Sequence, residues 1–126
     1  MSNRSKIESF EDLEVWGKSH LFVLEIYKIS KEFPNSELFG LTSQLRRSAV
    51  SIPNNIAEGS GRSTTKDYLH FLIQSRGSLY ESKYLIILAA DLGYINFEIK
   101  ENLLNKIHEI GKMLNALITS LKRKIP

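Results

Sequence analysis

Between Ile99 and Leu121 apolar residues return every three or four positions: Ile99, Leu103, Ile107, Ile110, Leu114, Leu117 and Leu121. That period belongs to one face of an α-helix, since a half-buried strand would alternate apolar and polar residues. Leu104, Gly111, Ile118 and Ile125 follow at intervals of seven and widen the face. A second stripe of Leu41, Leu45, Ala49, Ile52 and Ile56 lies earlier in the chain. Faces of this kind are stable only when buried against one another, which predicts an all-α fold.

Glycine and proline divide the chain into four helical segments. The first runs from about Asp12 to Glu32 and stops at Phe33-Pro34-Asn35-Ser36. The second runs from about Leu41 to Glu58, with Gly59-Ser60-Gly61 as cap and turn. Pro53 lies inside it, removes one donor and is expected to kink the helix near Ile52. The third opens at Thr64, with Asp67 three residues on as in a capping box, and closes at Gly93. At 1.5 Å per residue it spans roughly 40 Å. The fourth opens at Asn96, a good N-cap, and ends in Lys122-Arg123-Lys124, where cations suit a helix C-terminus. Short connections favour antiparallel neighbours, hence an antiparallel up-and-down four-helix bundle. At 126 residues the chain fits a single domain, with residues 1–9 expected to be flexible.

Two segments carry more apolar surface than one core requires. In the first, Leu13, Trp16, His20, Val23, Leu24 and Tyr27 share a face, and Val15, Phe22, Ile26, Ile29 and Phe33 make another. In the third, Tyr68, Leu72, Ser75, Leu79, Ser82, Ile86 and Ala89 form one stripe, and Leu69, Ile73, Tyr80, Tyr84 and Ile87 a second. A spare stripe points to a partner, most simply another copy of the chain.

Several function classes are disfavoured by what the chain lacks. Without cysteine there are no disulfides and no thiolate metal sites, in keeping with a reducing compartment. The N-terminus has no signal-peptide core, and no apolar run approaches the roughly 20 residues of a membrane span. These features together point to the cytoplasm. There is no nucleophile elbow, and His20, His70 and His108 fall on three different helices, with no sign of a triad. His20, on an apolar face, reads as a hydrogen-bonded core histidine. Asp67-x-x-His70 is a single, incomplete version of the helical-bundle metal motif, and Glu58 and Glu81 as inward carboxylates would still not make a metal site. No cofactor is expected, and no enzymatic activity. Gly59-Ser60-Gly61-Arg62 follows a helix rather than a strand, so it is not a phosphate loop. The start of the third helix, flanked by Arg62 and Lys66, can in principle hold an anion.

Basic residues are the remaining signal. The net charge is +3, unevenly spread: residues 1–40 hold five basic and seven acidic residues, residues 41–90 six and three, residues 91–126 six and four. Arg46 and Arg47 sit off the apolar stripe of the second segment, where Arg47, Ser51, Asn54 and Glu58 form a polar ridge. Arg76 and Lys83 stand seven apart beside Tyr80 and Tyr84. Cations beside aromatics can hold phosphates while bases stack. A solvated face with structural Arg–Glu pairs has the same spacing, and spacing alone does not choose between them.

The stretch from Leu41 to Arg62, LTSQLRRSAVSIPNNIAEGSGR, resembles the signature of the 23S rRNA intervening-sequence protein family of four-helix-bundle proteins. Phe10-Glu11-Asp12-Leu13-Glu14-Val15-Trp16, Arg76-Gly77-Ser78-Leu79 with Glu81, and Asp91-Leu92-Gly93-Tyr94-Ile95 match as well, so the resemblance covers nearly the whole chain. It departs at Ser48 and Ser75, where the family tends to alanine, and at Lys83, where an acidic residue is common. The family is bacterial, with a largely unestablished molecular role, and its fold is similar to accessory proteins of diversity-generating retroelements. Those form ring-shaped homopentamers with a basic channel and bind nucleic acid and a reverse transcriptase. The resemblance therefore implies a ring-shaped homo-oligomer binding RNA or DNA through phosphates, with Arg46, Arg47, Arg62 and Arg76 as family-matching cations. Lys66 and Lys83 join them from the local pattern. The alternative it leaves open is a protein-interaction module that docks a partner enzyme such as a reverse transcriptase.

Overall fold

Ser9 caps the first turn of the chain described. Its hydroxyl accepts from Glu11 N while Asp12 reaches back to Ser9 N, a reciprocal box over a 3₁₀ turn at Phe10–Asp12. Leu13 is extended, so the first helix, α1, begins at Glu14 and runs to Ser30. The structure, a computed structural model, describes residues 9–126; the stretch expected to be flexible lies outside these residues except for Ser9, which is this cap. After a second short turn at Asn35–Glu37, α2 covers Leu41–Ser60, α3 Thr65–Asp91 and α4 Phe97–Lys122. There is no strand among the described residues.

Side-chain pairs give the relative directions of the helices. Ser48 meets Ser82, Ser51 meets Ser78, and Ser75 donates to the Ile52 carbonyl, so α2 and α3 run antiparallel. Arg76 meets Asn115 across α3 and α4. Arg46 reaches Ser30 across α1 and α2. Lys18–Glu109 and Lys106–Glu25 close the ring of helices between α1 and α4. Each helix thus packs on two neighbours in the order of the chain. The core between them is lined by Phe22, Ile26, Leu45, Ile52, Ile56, Leu72, Ile86, Leu103, Ile107 and Leu114.

The closest approach is between α2 and α3, and small residues make it. A Cβ on Gly59 would stand 2.8 Å from Phe71 Cβ and 3.0 Å from Tyr68 Cδ1. Gly59 is therefore a buried helical residue rather than part of the turn, and α2 continues through it to Ser60. Burial against the same contact raises the Tyr68 phenol pKa. Ser48 and Ser75 bridge this seam at 2.8 and 2.9 Å. Pro53 is buried, and the helix runs through it unbroken.

The caps follow the expected chemistry. Thr64 Oγ1 accepts from Asp67 N at 3.1 Å, and Asn96 Oδ1 from Ile99 N at 2.8 Å. Helix α3 ends in a Schellman pattern, with Gly93 at φ +83° and Tyr94 N donating to Ala89 O.

Of the two stripes on α1, the core takes Val15, Phe22, Ile26 and Phe33 of one and Val23 of the other, whose Leu24 and Tyr27 are exposed. On α3 the Leu72–Leu79–Ile86 stripe is buried, and Ile73, Tyr80 and Tyr84 face outward.

Candidate nucleic-acid interface

The six cations singled out in the sequence occupy three separate places. At the α1–α2 end, Arg46 is turned inward: its Nε donates to Ser30 Oγ at 2.8 Å, Nη2 lies 3.5 Å from the Tyr27 carbonyl, and the guanidinium sits 4.7 Å from the Tyr27 ring centre. It thus supplies a cation to the C-terminal carbonyls of α1. Arg47 is exposed beside it and has no hydrogen-bond or ion-pair partner among the described residues. Both line a shallow depression with Tyr27, Leu38 and Phe39.

At the α2–α3 turn, Arg62 lies 3.6 Å from Glu58 and 4.6 Å from the Phe71 ring centre. Lys66 is exposed in the first turn of α3. The anion-holding role considered for that helix start is partly filled already, because Thr64 caps it and Asp67 brings its own carboxylate.

Arg76 and Lys83 are brought together with groups that sequence reasoning missed. They line a cleft of about 240 Å³ between α3 and α4, with Tyr80 on their own helix and His108, Lys112 and Asn115 opposite. Leu79, Ile107 and Gly111 form its floor. Asn115 Oδ1 accepts from Arg76 Nη1 at 2.9 Å, which fixes one edge of the guanidinium and leaves its other donors free. Lys83 and Lys112 make no ion pair among the described residues, and no carboxylate lines the cleft. Three cations thus converge without a neutralising partner. The signal for the missing half was present: His108, Lys112 and Asn115 recur at spacings of four and three beside the core stripe of α4. Only the antiparallel register shows that this row faces Arg76 and Lys83.

Other expected roles are corrected. His20 is exposed and stacks flat on Trp16, with ring centres 5.1 Å apart and 6° between planes, at the mouth of an apolar groove between α1 and α2. It is not a hydrogen-bonded core histidine: Val23 of its stripe is buried, but His20, Leu24 and Tyr27 stay exposed. Glu58 and Glu81 are both exposed rather than inward. His70 pairs with Gln74 at 3.0 Å. No group of three or more His, Asp or Glu able to hold a metal occurs among the described residues.

Residues 11–116 match the model of the 23S rRNA-intervening sequence protein family. The chain belongs to this family. A solved structure with the same fold is described as a protein of unknown function from the S23 ribosomal protein family of Bacteroides thetaiotaomicron. It is 29% identical, with a TM-score of 0.78, over 83% of this chain and 95% of that one. No functionally curated protein matches. No helix among the described residues is long and apolar enough to cross a membrane.

Proposed function

We propose that this protein is a non-enzymatic nucleic-acid-binding bundle that holds RNA or DNA chiefly through phosphates, with the α3–α4 cleft as its principal contact. The observation that carries this reading is the convergence of Arg76, Lys83 and Lys112 on one cleft free of carboxylates. Arg47 and Lys66, both exposed, extend the cationic surface at the two ends of the bundle, whereas Arg46 and Arg62 are engaged within the chain. The test is fluorescence anisotropy of labelled structured RNA and duplex DNA over a salt series. Binding should weaken steeply with salt, and each of Arg76→Ala, Lys83→Ala and Lys112→Ala should lower the slope by about 1 while leaving the thermal melt intact. Absence of binding at low salt would overturn the reading.

Self-association is part of the same proposal. Leu21, Leu24 and Tyr27 on α1, and Ile73 and Tyr84 on α3, are exposed on two different faces. A ring of copies, a pentamer as the resemblance to retroelement accessory proteins implies, would cover both faces and pool the charge of +3 per chain. Phe39, 94% exposed at the α1–α2 loop, supports a second reading in which the bundle docks a partner enzyme such as a reverse transcriptase. A protein partner retained from a nuclease-treated bacterial lysate, and lost with Phe39→Ser, would favour that reading.

A further inference from the structure

Resting on the nucleic-acid reading, we propose that the α3–α4 cleft takes an unpaired nucleotide of a single strand, with its base against Tyr80 and its phosphates on Arg76, Lys83 and Lys112.

The cleft owes its existence to one missing side chain. Leu104, Gly111 and Ile118 form a row at intervals of seven along α4, and Gly111 is its gap. Where a leucine or isoleucine would close the seam over Leu79 and Ile107, the backbone of α4 is bare and the cleft opens to solvent. Its floor is therefore apolar, with Leu79 and Ile107 each 2% exposed, while its rim is cationic.

That layering discriminates between ligands. A duplex keeps its bases inside the stack and offers a protein its phosphates and groove edges, which are read by a protruding helix or strand or by an open array of cations. Here the protein presents a recess between two packed helices, so the ligand must insert. Insertion of a flat apolar group is open to bases that are not paired, as in single strands and loops. At about 240 Å³ the recess lies just below the usual range of small-molecule pockets, which limits it to one base or nucleoside. Tyr80, 60% exposed on the rim, offers a ring face for that base. Asn115 holds Arg76 in place at the edge of the recess, so its remaining donors are set before a phosphate arrives.

The experiment compares the full-length protein's affinity for a labelled mixed-sequence oligonucleotide, as RNA and as DNA, with that for the same strand annealed to its complement. The single strand is expected to bind about tenfold or more tightly than the duplex. Tyr80→Ala should weaken single-strand binding about tenfold and leave duplex binding unchanged, with Tyr80→Phe close to the parent protein. Gly111→Met should fill the recess and weaken single-strand binding similarly with no change in charge. A side chain at 111 first meets Leu79 Cδ2 at 3.4 Å, an ordinary contact, so that variant should fold, which its thermal melt verifies. Equal affinity for single strand and duplex, with both cleft variants silent, would overturn the inference and leave phosphate-directed binding standing. Loss of all binding in the parent protein at low salt would overturn both.

Discussion

The Tyr94 hydroxyl donates to Glu37 Oε2 at 2.8 Å, joining the α3–α4 connection to the α1–α2 connection. The other carboxylate oxygen of Glu37 accepts from Leu41 N at 3.1 Å, so the same side chain caps α2, whose N-cap Gly40 has none of its own. Phe33 packs on the Tyr94 ring, with centres 5.6 Å apart. The Leu41 N–H and the Tyr94 hydroxyl both lower the Glu37 pKa, and the Glu37 carboxylate raises that of Tyr94. The signs are opposite and bound a window. A depressed carboxylate contributes stability above its unfolded pKa and loses it as pH falls through the folded value. A raised phenol contributes below its unfolded pKa and loses its contribution as pH rises through the folded value. Urea unfolding of Glu37→Gln and the parent protein should differ at neutral pH and converge as the solution is acidified through the carboxylate range. A gap that persists at acid pH would show that the charge of Glu37 is irrelevant to the cap.

Two glycines in helices should respond oppositely to alanine. At Gly77 a Cβ meets nothing within 4 Å, and Gly77→Ala should stabilise by about 0.5–1 kcal/mol through backbone entropy and helix propensity. At Gly59 the new Cβ would lie 2.8 Å from Phe71 Cβ, and Gly59→Ala should destabilise by about 1–3 kcal/mol by pushing α3 away from α2. Urea titrations of both variants give the comparison, and equal signs would remove the close approach as the reason for Gly59.

Gly59 also marks the boundary of what the sequence made legible. Helix number, order and most ends could be read, because 3.6-residue periodicity and cap chemistry are local: Thr64 and Asn96 cap as expected, and Gly93 closes α3. Gly59 looked like punctuation because a glycine needed for interhelical contact and one needed for a turn are identical in sequence. His20 was misplaced for a related reason. Both faces of α1 are apolar, and which of them meets the core depends on the other three helices. Ser9-Phe10-Glu11-Asp12 did carry a capping-box spacing, and it opens a 3₁₀ turn three residues ahead of α1's expected beginning at Asp12. The cleft was half legible. Arg76 and Lys83 stood out beside the tyrosines, but Lys112 joins them only through the pairing of α3 with α4.

The serine seam between α2 and α3 should behave as coupled pairs. Ser48 Oγ and Ser82 Oγ are 2.8 Å apart and buried. Ser82→Ala leaves Ser48 its bond to the Leu45 carbonyl, whereas Ser48→Ala strips Ser82 of this partner. The second change should therefore cost more, about 1–3 kcal/mol, and adding Ser82→Ala to it should recover part of the loss. A double-mutant cycle by chemical denaturation reads this coupling directly. Strict additivity would mean that the two hydroxyls do not depend on each other.

Arg46 and Arg47 are adjacent in sequence and should separate in experiment. Arg46 donates to Ser30 Oγ and stacks on Tyr27, and Arg46→Ala should lower stability by about 1–2 kcal/mol. Arg47, exposed, should leave stability within about 0.5 kcal/mol of the parent when changed to alanine and weaken nucleic-acid binding at low salt. Melts and anisotropy on the two single variants separate a fold role from a binding role, and matching profiles would contradict the geometry.

The exposed apolar faces make a prediction about how copies join. Leu24 on α1 is 53% exposed and Tyr84 on α3 is 60% exposed, and the two lie on different faces of the bundle. If the α1 face of one copy meets the α3 face of the next, the contact is heterologous and repeats until a ring closes. Leu24→Lys then disables one half of every contact and Tyr84→Lys the other, so each variant alone should sediment as a monomer. Mixed in equal amounts, they retain one intact pair of faces, the α3 face of the first variant and the α1 face of the second, and should form a heterodimer that cannot grow. An isologous contact behaves differently. If α1 faces pair with α1 faces, Leu24→Lys alone abolishes assembly, Tyr84→Lys alone is silent, and mixing restores nothing. Sedimentation velocity on the parent protein, the two variants and their mixture therefore distinguishes a ring-forming surface from a simple dimer, and a parent protein that stays monomeric at high concentration would rule out both.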